Sequence, residues 1–114
     1  ALFLAYRERL ADLPLQMNPE PEGTVNGFWM PTIVCDPSSG VRREALLEAF
    51  SQNDIDGRVF FWPLSSLPMF DTCLNNTVAP DLAARSLNLP SYHDMRMDDV
   101  DRVVASVRSV FRSL

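Results

Sequence analysis

The sequence of 114 residues contains no lysine, since all ten of its cationic side chains are arginine. Chemistry that forms a Schiff base on a lysine amine therefore cannot run on a side chain of this chain alone. Histidine is almost as scarce, with His93 as the single copy. One imidazole excludes the multi-histidine metal sites that are common in zinc enzymes.

Cysteine is also scarce, with two copies, and net positive charge and long apolar runs are missing. Cys35 and Cys73 form no CxxC pair and no disulfide framework, so we expect a protein of the reducing cytoplasm; whether the two pair with each other is left open. The net charge of −5 disfavours both nucleic acid and a polybasic membrane anchor. No apolar run approaches the roughly 20 residues that cross a bilayer. We therefore predict neither a nucleic-acid nor a membrane partner.

What is present fits one soluble domain over 1–114, with 46% apolar and 22% charged residues. Apolar spacing predicts an amphipathic helix over 2–12, ended by Pro14, and an extended connection over 14–24. Strands are predicted over 26–35 and 58–62, the second buried on both faces, with a helix over 41–52 between them. A short helix over 80–87 and a long one over 97–113 follow.

The last helix has the clearest pattern. Asp98 and Asp99 lie in its first turn, where acids are favoured, and its apolar residues recur at helical spacing. They are Val100, Val103, Val104, Val107, Val110, Phe111 and Leu114. We expect this face to cover a sheet that carries Ile33 and Phe60. The fold class is α/β in the α+β sense, a small two- to three-stranded sheet packed against helices.

The candidate chemical groups have simpler structural interpretations. His93 lies in a loop, and an exposed or capping role is favoured over a catalytic one. The two cysteines are interpreted as small thiols without a base, and the acids at 98–101 as a charged helix start rather than a metal site. For Arg58 we give equal weight to two interpretations. It forms a salt bridge to Asp54 or Asp56, or it binds a carboxylate or phosphate partner. The residues alone thus predict no catalytic, cofactor-binding or metal-binding residue.

Several segments together resemble the end of the DegT/DnrJ/StrS sugar aminotransferases. A glycine, a short apolar strand, a proline and a polar loop ending in Pro and an aromatic residue occur in order over 57–70. Phe28 to Val34 resembles the preceding strand of the family, and 41–55 the helix between them. Leu89-Pro90-Ser91 and 97–100 resemble the closing motif and helix. The resemblance covers essentially the whole chain.

The resemblance implies a fragment, the small C-terminal domain of an enzyme that uses pyridoxal phosphate. Residues 1–13 would be the interdomain helix and 26–114 the α/β body. The cofactor and its lysine would lie in a large domain outside this chain, so the fragment alone would hold no cofactor and be inactive. Family members act as homodimers on nucleotide-linked keto-sugars, commonly taking the amino group from glutamate.

The resemblance also suggests substrate contacts. Ser65 stands where many relatives have a substrate-facing histidine, with Ser66 beside it, and Arg58 matches a position that is often arginine. A severed domain would expose an apolar face on 2–12 and 63–70, with Phe3, Leu64, Leu67 and Met69 as candidates. The alternative is a non-catalytic protein-interaction module that folds and acts by itself.

Overall fold

The computed structural model describes residues 2–71 and 75–112. Its helices are α1 (Leu2–Leu10), α2 (Arg43–Gln52), α3 (Val78–Ala84) and α4 (Met97–Arg112). Its strands are β1 (Leu15–Met17), β2 (Thr32–Cys35), β3 (Arg58–Val59) and β4 (Ser86–Asn88), and single 3₁₀ turns form at Pro37–Ser39 and Leu64–Ser66. No helix in these ranges is long and apolar enough to cross a bilayer.

The four strands form one antiparallel sheet in the order β1-β2-β4-β3. Ile33 of β2 and Val59 of β3 both lie opposite Leu87 of β4. The α+β class is confirmed, but the sheet has four strands where two or three were predicted. β1 falls in the segment expected to be a plain connection, and β4 follows directly on the short helix that was expected to run to residue 87. Strands of three residues are too short to show an alternating pattern.

The first predicted strand also begins later than expected. The ladder starts at Thr32 because Pro31 has no backbone N–H to donate. Before Thr32, the side chain of Asn18 makes the hydrogen bonds that a neighbouring strand would otherwise make. Its Nδ2 donates to the Met30 carbonyl and its Oδ1 accepts from the Thr32 N–H, each at 2.8 Å. This amide continues the pairing of β1 with β2 for one more step and holds residues 30–32 in place.

The core lies where α4 packs between α1 and α2 against the sheet. The valine face of α4 is confirmed, since Val100, Val103, Val104, Val107 and Val110 are all buried. Ile33 joins the same cluster, whereas Phe60 is only half-buried. Leu114, the last residue of the predicted stripe, lies outside the described residues.

Helix α1 belongs to this core. Tyr6 is fully buried and its hydroxyl donates to the Pro90 carbonyl at 2.7 Å, while burial raises the pKa of the phenol. At the surface, Arg9 pairs with Asp101 of α4 at 2.6 Å. Arg108 of α4 in turn binds Asp12, just beyond α1. Buried and surface contacts therefore both fasten α1 to α4.

The second predicted strand was expected to be buried on both faces, and this was wrong. β3 ends at Val59, and Phe61 and Trp62 are more than half exposed. The reason is that β3 is an edge strand, which among residues 2–71 and 75–112 pairs only with β4, over two residues. Since no strand of these ranges lies on its other side, the chain leaves the sheet before its aromatic residues can be covered.

Candidate functional site

An open cleft of about 620 Å³ lies where β4 ends, beside the α2–β3 turn and the first turns of α4. This volume lies within the range of ordinary small-molecule sites. Four separate stretches of sequence form its walls. The lining residues include Trp29, Met30, residues 54–56, Arg58, residues 88–92, Met95, Asp99, Arg102 and Val103. The sequence did not predict this cleft.

Trp29 stands at the wall of the cleft and is 79% exposed. Its neighbour Phe28 has a left-handed backbone, with φ of 48°, which is unusual for a bulky side chain. The Asn26 Oδ1 accepts the Phe28 N–H at 2.7 Å and supports this turn. The Phe28 ring stacks on Phe3, with centroids 4.0 Å apart and planes 13° apart. The turn thus directs one aromatic ring to the protein and leaves the next in solvent.

Both arginines of the cleft already have partners. Arg58 pairs with Asp56 at 3.2 Å, and both side chains are more than three-quarters exposed. This is one of the two salt bridges considered for Arg58 from the sequence. Arg102 donates to the backbone carbonyls of Asn53 and Asp54. The cleft therefore presents charges of both signs, with no concentration of positive charge.

Tyr92 and Asp99 form the opposite polar edge. The Tyr92 hydroxyl donates to Asp99 Oδ2 at 3.2 Å, and the same oxygen accepts the Arg96 N–H at 3.0 Å. Desolvation and the Asp99 carboxylate raise the pKa of Tyr92. By accepting the Arg96 N–H, Asp99 also caps the start of α4, as expected for an acid in a first turn. The residues that cap the helix thus also line the cleft.

Asn88 lies at the inner end of the cleft and is almost fully buried. Its Oδ1 accepts from the Thr32 hydroxyl at 2.7 Å. Its Nδ2 faces the carbonyls of Val59 and Phe60 at 3.4 and 3.3 Å. The side chain therefore joins β2, β4 and β3 at the point where the sheet meets the cleft. Sequence reasoning missed this residue because a lone asparagine after a short helix is typical of a turn.

The predicted substrate contacts do not form a single cluster. Arg58 lines the cleft, whereas Ser65 and Ser66 lie on the 3₁₀ turn Leu64–Ser66, outside the lining. Ser65 is half-buried, and the exposed Ser66 donates its hydroxyl proton to the Pro63 carbonyl at 2.7 Å. The structure thus separates two candidate surfaces, the cleft and the serine turn.

An arginine anchors the serine turn to the body. The Arg43 guanidinium lies 4.5 Å from the centre of the Trp62 ring. It donates to the Ala83 carbonyl at 3.0 Å and pairs with Glu44 at 2.9 Å, and its side chain is only 12% exposed. Because Trp62 directly precedes Pro63, this cation–π contact holds the entry to the turn.

Before, within and after the serine turn, the chain exposes a group of large apolar side chains. Phe61, Trp62, Leu64, Met69 and Phe70 are each more than half exposed. Leu64 and Met69 were among the residues expected on such a face. Phe3 was expected there too, and this was wrong, because Phe28 covers its ring. Leu67 is half-buried.

The remaining candidate groups stand apart from both surfaces. His93 is exposed in its loop. Cys35 is a buried free thiol, and desolvation raises its pKa to about 11 despite the nearby Arg85. Cys73 lies outside the described residues. Within 2–71 and 75–112, no three His, Cys, Asp or Glu side chains come close enough to hold a metal ion.

Comparisons with known proteins agree in both sequence and fold. The model of the DegT/DnrJ/EryC1/StrS aminotransferase family matches residues 1–108. A GDP-perosamine synthase of Vibrio cholerae is 32% identical over 112 residues, which are 96% of this chain and 30% of that protein. One of Escherichia coli O157:H7 is 24% identical over 117 residues, 96% of this chain and 32% of that protein.

The solved structures give the same picture. The aminotransferase TlmJ of Streptoalloteichus hindustanus superposes with a TM-score of 0.81 at 19% identity, over 98% of this chain and 30% of that one. DesI, solved with its TDP-sugar product, superposes with a TM-score of 0.79 at 26% identity, over 98% of this chain and 30% of that one. The chain thus spans about a third of the length of the relatives it matches.

Proposed function

The chain belongs to the DegT/DnrJ/EryC1/StrS aminotransferase family, and from this membership we propose that it is the small C-terminal domain of a larger enzyme. That enzyme would use pyridoxal phosphate and transfer an amino group to a nucleotide-linked keto-sugar. The observation that carries the proposal is the family match over 1–108 in a chain that spans only about 30% of its relatives. The names of two relatives, GDP-perosamine synthase and DesI with its TDP-sugar, support the substrate class.

The residues of this chain do not fit pyridoxal phosphate by themselves. A pyridoxal enzyme attaches its cofactor to a lysine amine, and the sequence contains none. The titratable side chains of the cleft are carboxylates, arginines and a phenol, none of which replaces that amine. We therefore assign cofactor attachment to the rest of the protein, and we expect the isolated chain to be inactive.

The role of this chain would be to shape the substrate side of the site. Arg58 offers an exposed guanidinium. The Ser65 hydroxyl can donate or accept a hydrogen bond with a sugar, whereas the Ser66 hydroxyl, which donates to the Pro63 carbonyl, can accept one. The exposed apolar group from Phe61 to Phe70 would pack on the large domain that holds the cofactor. We further propose a homodimer that works in the cytoplasm.

The test uses the whole protein and the isolated chain in parallel. With pyridoxal phosphate, glutamate and a GDP- or TDP-linked 4-keto-sugar, the whole protein should yield an amino sugar that mass spectrometry identifies. The isolated 114 residues should give no product and no saturable change in the visible absorbance of the cofactor. Stoichiometric cofactor capture by the isolated chain would overturn the division of labour.

The reading frame that encodes the chain separates the enzyme from the stand-alone interaction module. A reading frame with a long upstream region that contains a lysine after a strand-rich stretch supports the enzyme. A start codon immediately before Ala1 supports the module, and it would leave the exposed apolar side chains available for another protein.

A further inference from the structure

We propose that the cleft beside α4 takes the base of a nucleotide, with Trp29 as its stacking surface. The inference rests on the proposed function, because it names the part of a nucleotide-linked sugar that this chain would contact. It assigns the sugar and the diphosphate to other surfaces of the protein. Three features support it, namely the left-handed backbone at Phe28, the exposed indole of Trp29 and a cleft of small-molecule size.

The backbone conformation of the residue before Trp29 exposes the indole. Phe28 adopts a left-handed backbone that costs free energy for a large side chain, and its ring is fixed on Phe3 at 4.0 Å. The next residue, Trp29, is 79% exposed and lines the cleft. Asn18 holds the other side of the segment through the Met30 carbonyl. The backbone that carries the indole is therefore held on both sides of Trp29.

The lining of the cleft is partly apolar and partly polar. Leu89, Met95 and Val103 are buried side chains that line the cleft and give it an apolar part. At its edges, the Arg58 guanidinium donates hydrogen bonds, while the Asp56 and Asp99 carboxylates accept them. A flat heteroaromatic ring has an apolar face and an edge with both donors and acceptors. It can therefore use the indole face and the polar edge at the same time.

The charges that line the cleft favour the base of a nucleotide over its diphosphate. Three carboxylates, of Asp54, Asp56 and Asp99, line the cleft beside two guanidiniums, of Arg58 and Arg102. Arg58 is paired with Asp56, and Arg102 is occupied by backbone carbonyls. A diphosphate would meet net negative charge here and would have to compete for both arginines. A neutral base is not repelled by this net negative charge.

The experiment measures binding to the whole protein by calorimetry. The probes are GDP, TDP, inorganic pyrophosphate and free mannose. The variants are Trp29→Leu, which removes the ring, and Trp29→Phe, which keeps a smaller one. Val25→Ala is the control, since Val25 is 95% exposed in the same connection and does not line the cleft. Because Trp29 is itself exposed, its replacement leaves the core intact, and an unchanged melting temperature confirms this.

Trp29→Leu should lower the affinity of the whole protein for GDP and for TDP by about tenfold or more, the loss expected for one base–aromatic stack. Trp29→Phe should recover most of the affinity, and pyrophosphate should bind all variants alike. Nucleotide affinity within about twofold of the parent in Trp29→Leu overturns the inference. So does a loss confined to mannose or pyrophosphate.

The outcome is separable from that of the proposed function. Normal amination of a keto-sugar together with nucleotide binding that ignores Trp29 would refute the base site alone. Nucleotide binding that depends on Trp29 in a protein without aminotransferase activity would refute the proposed reaction and leave the base site standing.

Discussion

Gly57 offers the sharpest test of the packing between α2 and the sheet. A Cβ at this position would lie 2.4 Å from Phe50 Cδ2 and 2.9 Å from Cε2. Leu87 closes the other side, with its Cδ2 at 3.3 Å. Phe50 and Leu87 are both buried, so neither side chain can move into solvent. Gly57→Ala therefore requires the Phe50 ring or the β3 backbone to shift.

Overpacking of this kind costs about 1–3 kcal/mol in the free energy of unfolding. Gly27→Ala is the matched control, because a Cβ there meets nothing within 4 Å and the glycine has no positive φ. Its effect should be neutral or stabilising by up to about 1 kcal/mol, through the lower entropy of the unfolded chain. Urea unfolding of the 114-residue chain, followed by circular dichroism, measures both changes.

A double-mutant cycle identifies the contact itself. Phe50→Leu leaves a cavity beside position 57, which the added methyl group of Gly57→Ala can fill in part. The two changes together should thus cost less than the sum of their separate costs, since contacting residues couple. A Gly57→Ala chain as stable as the Gly27→Ala chain would show that the α2–β3 turn is placed wrongly. Strict additivity would show that Phe50 is not the residue that is displaced.

Three further outcomes follow from buried groups and from the serine turn. Val107→Asp places an unpaired charge in the core and should cost about 3 kcal/mol or more, whereas Ala105→Asp on the exposed face of α4 should cost little; thermal melts compare the two. The raised pKa of Cys35 means that the unfolded thiol ionises first, from its ordinary value of 9.0, so stability should fall as pH rises from about 9 to about 11. Cys35→Ala should reduce that slope in urea titrations at stepped pH, and an identical slope would contradict the burial of the thiol. In the whole protein, Ser65→Ala should raise the KM for the nucleotide sugar while cofactor affinity stays unchanged, and unchanged sugar kinetics would remove Ser65 from the site.

The long elements of the fold could be predicted from sequence because their patterns repeat. Helix α4 runs for 16 residues, and its buried valines return with each turn of the helix. β1 and β4 have three residues each, so no pattern could form, and the pairing that defines them is a tertiary contact. The aromatic run after Val59 misled the prediction for a related reason. Apolar composition suggests burial, but burial also requires a neighbouring strand, which an edge position does not supply.

The cleft could not be predicted, because its lining comes from segments far apart in sequence. Trp29, Arg58 and Asp99 belong to separate segments, and only the fold brings them to one surface. The resemblance to a family predicted Arg58, Ser65 and Ser66 as substrate contacts but gave no distance between them. In the structure, Arg58 lines the cleft and the two serines lie outside it. Phe3 shows the same limit, since a severed domain was expected to expose it, but Phe28 of this chain covers its ring.

The shortness of the two edge strands has a consequence for how this chain meets copies of itself. An open sheet edge is a template for strand addition, and long flat edges promote aggregation. Here β1 offers three residues before Asn18 turns its amide back to the sheet, and Pro19 and Pro21 then supply no N–H. β3 ends after two residues. Cross-β growth from either edge is thus blocked at its first step, so self-association of the chain would proceed through side-chain surfaces such as the exposed group from Phe61 to Phe70 and not through backbone pairing.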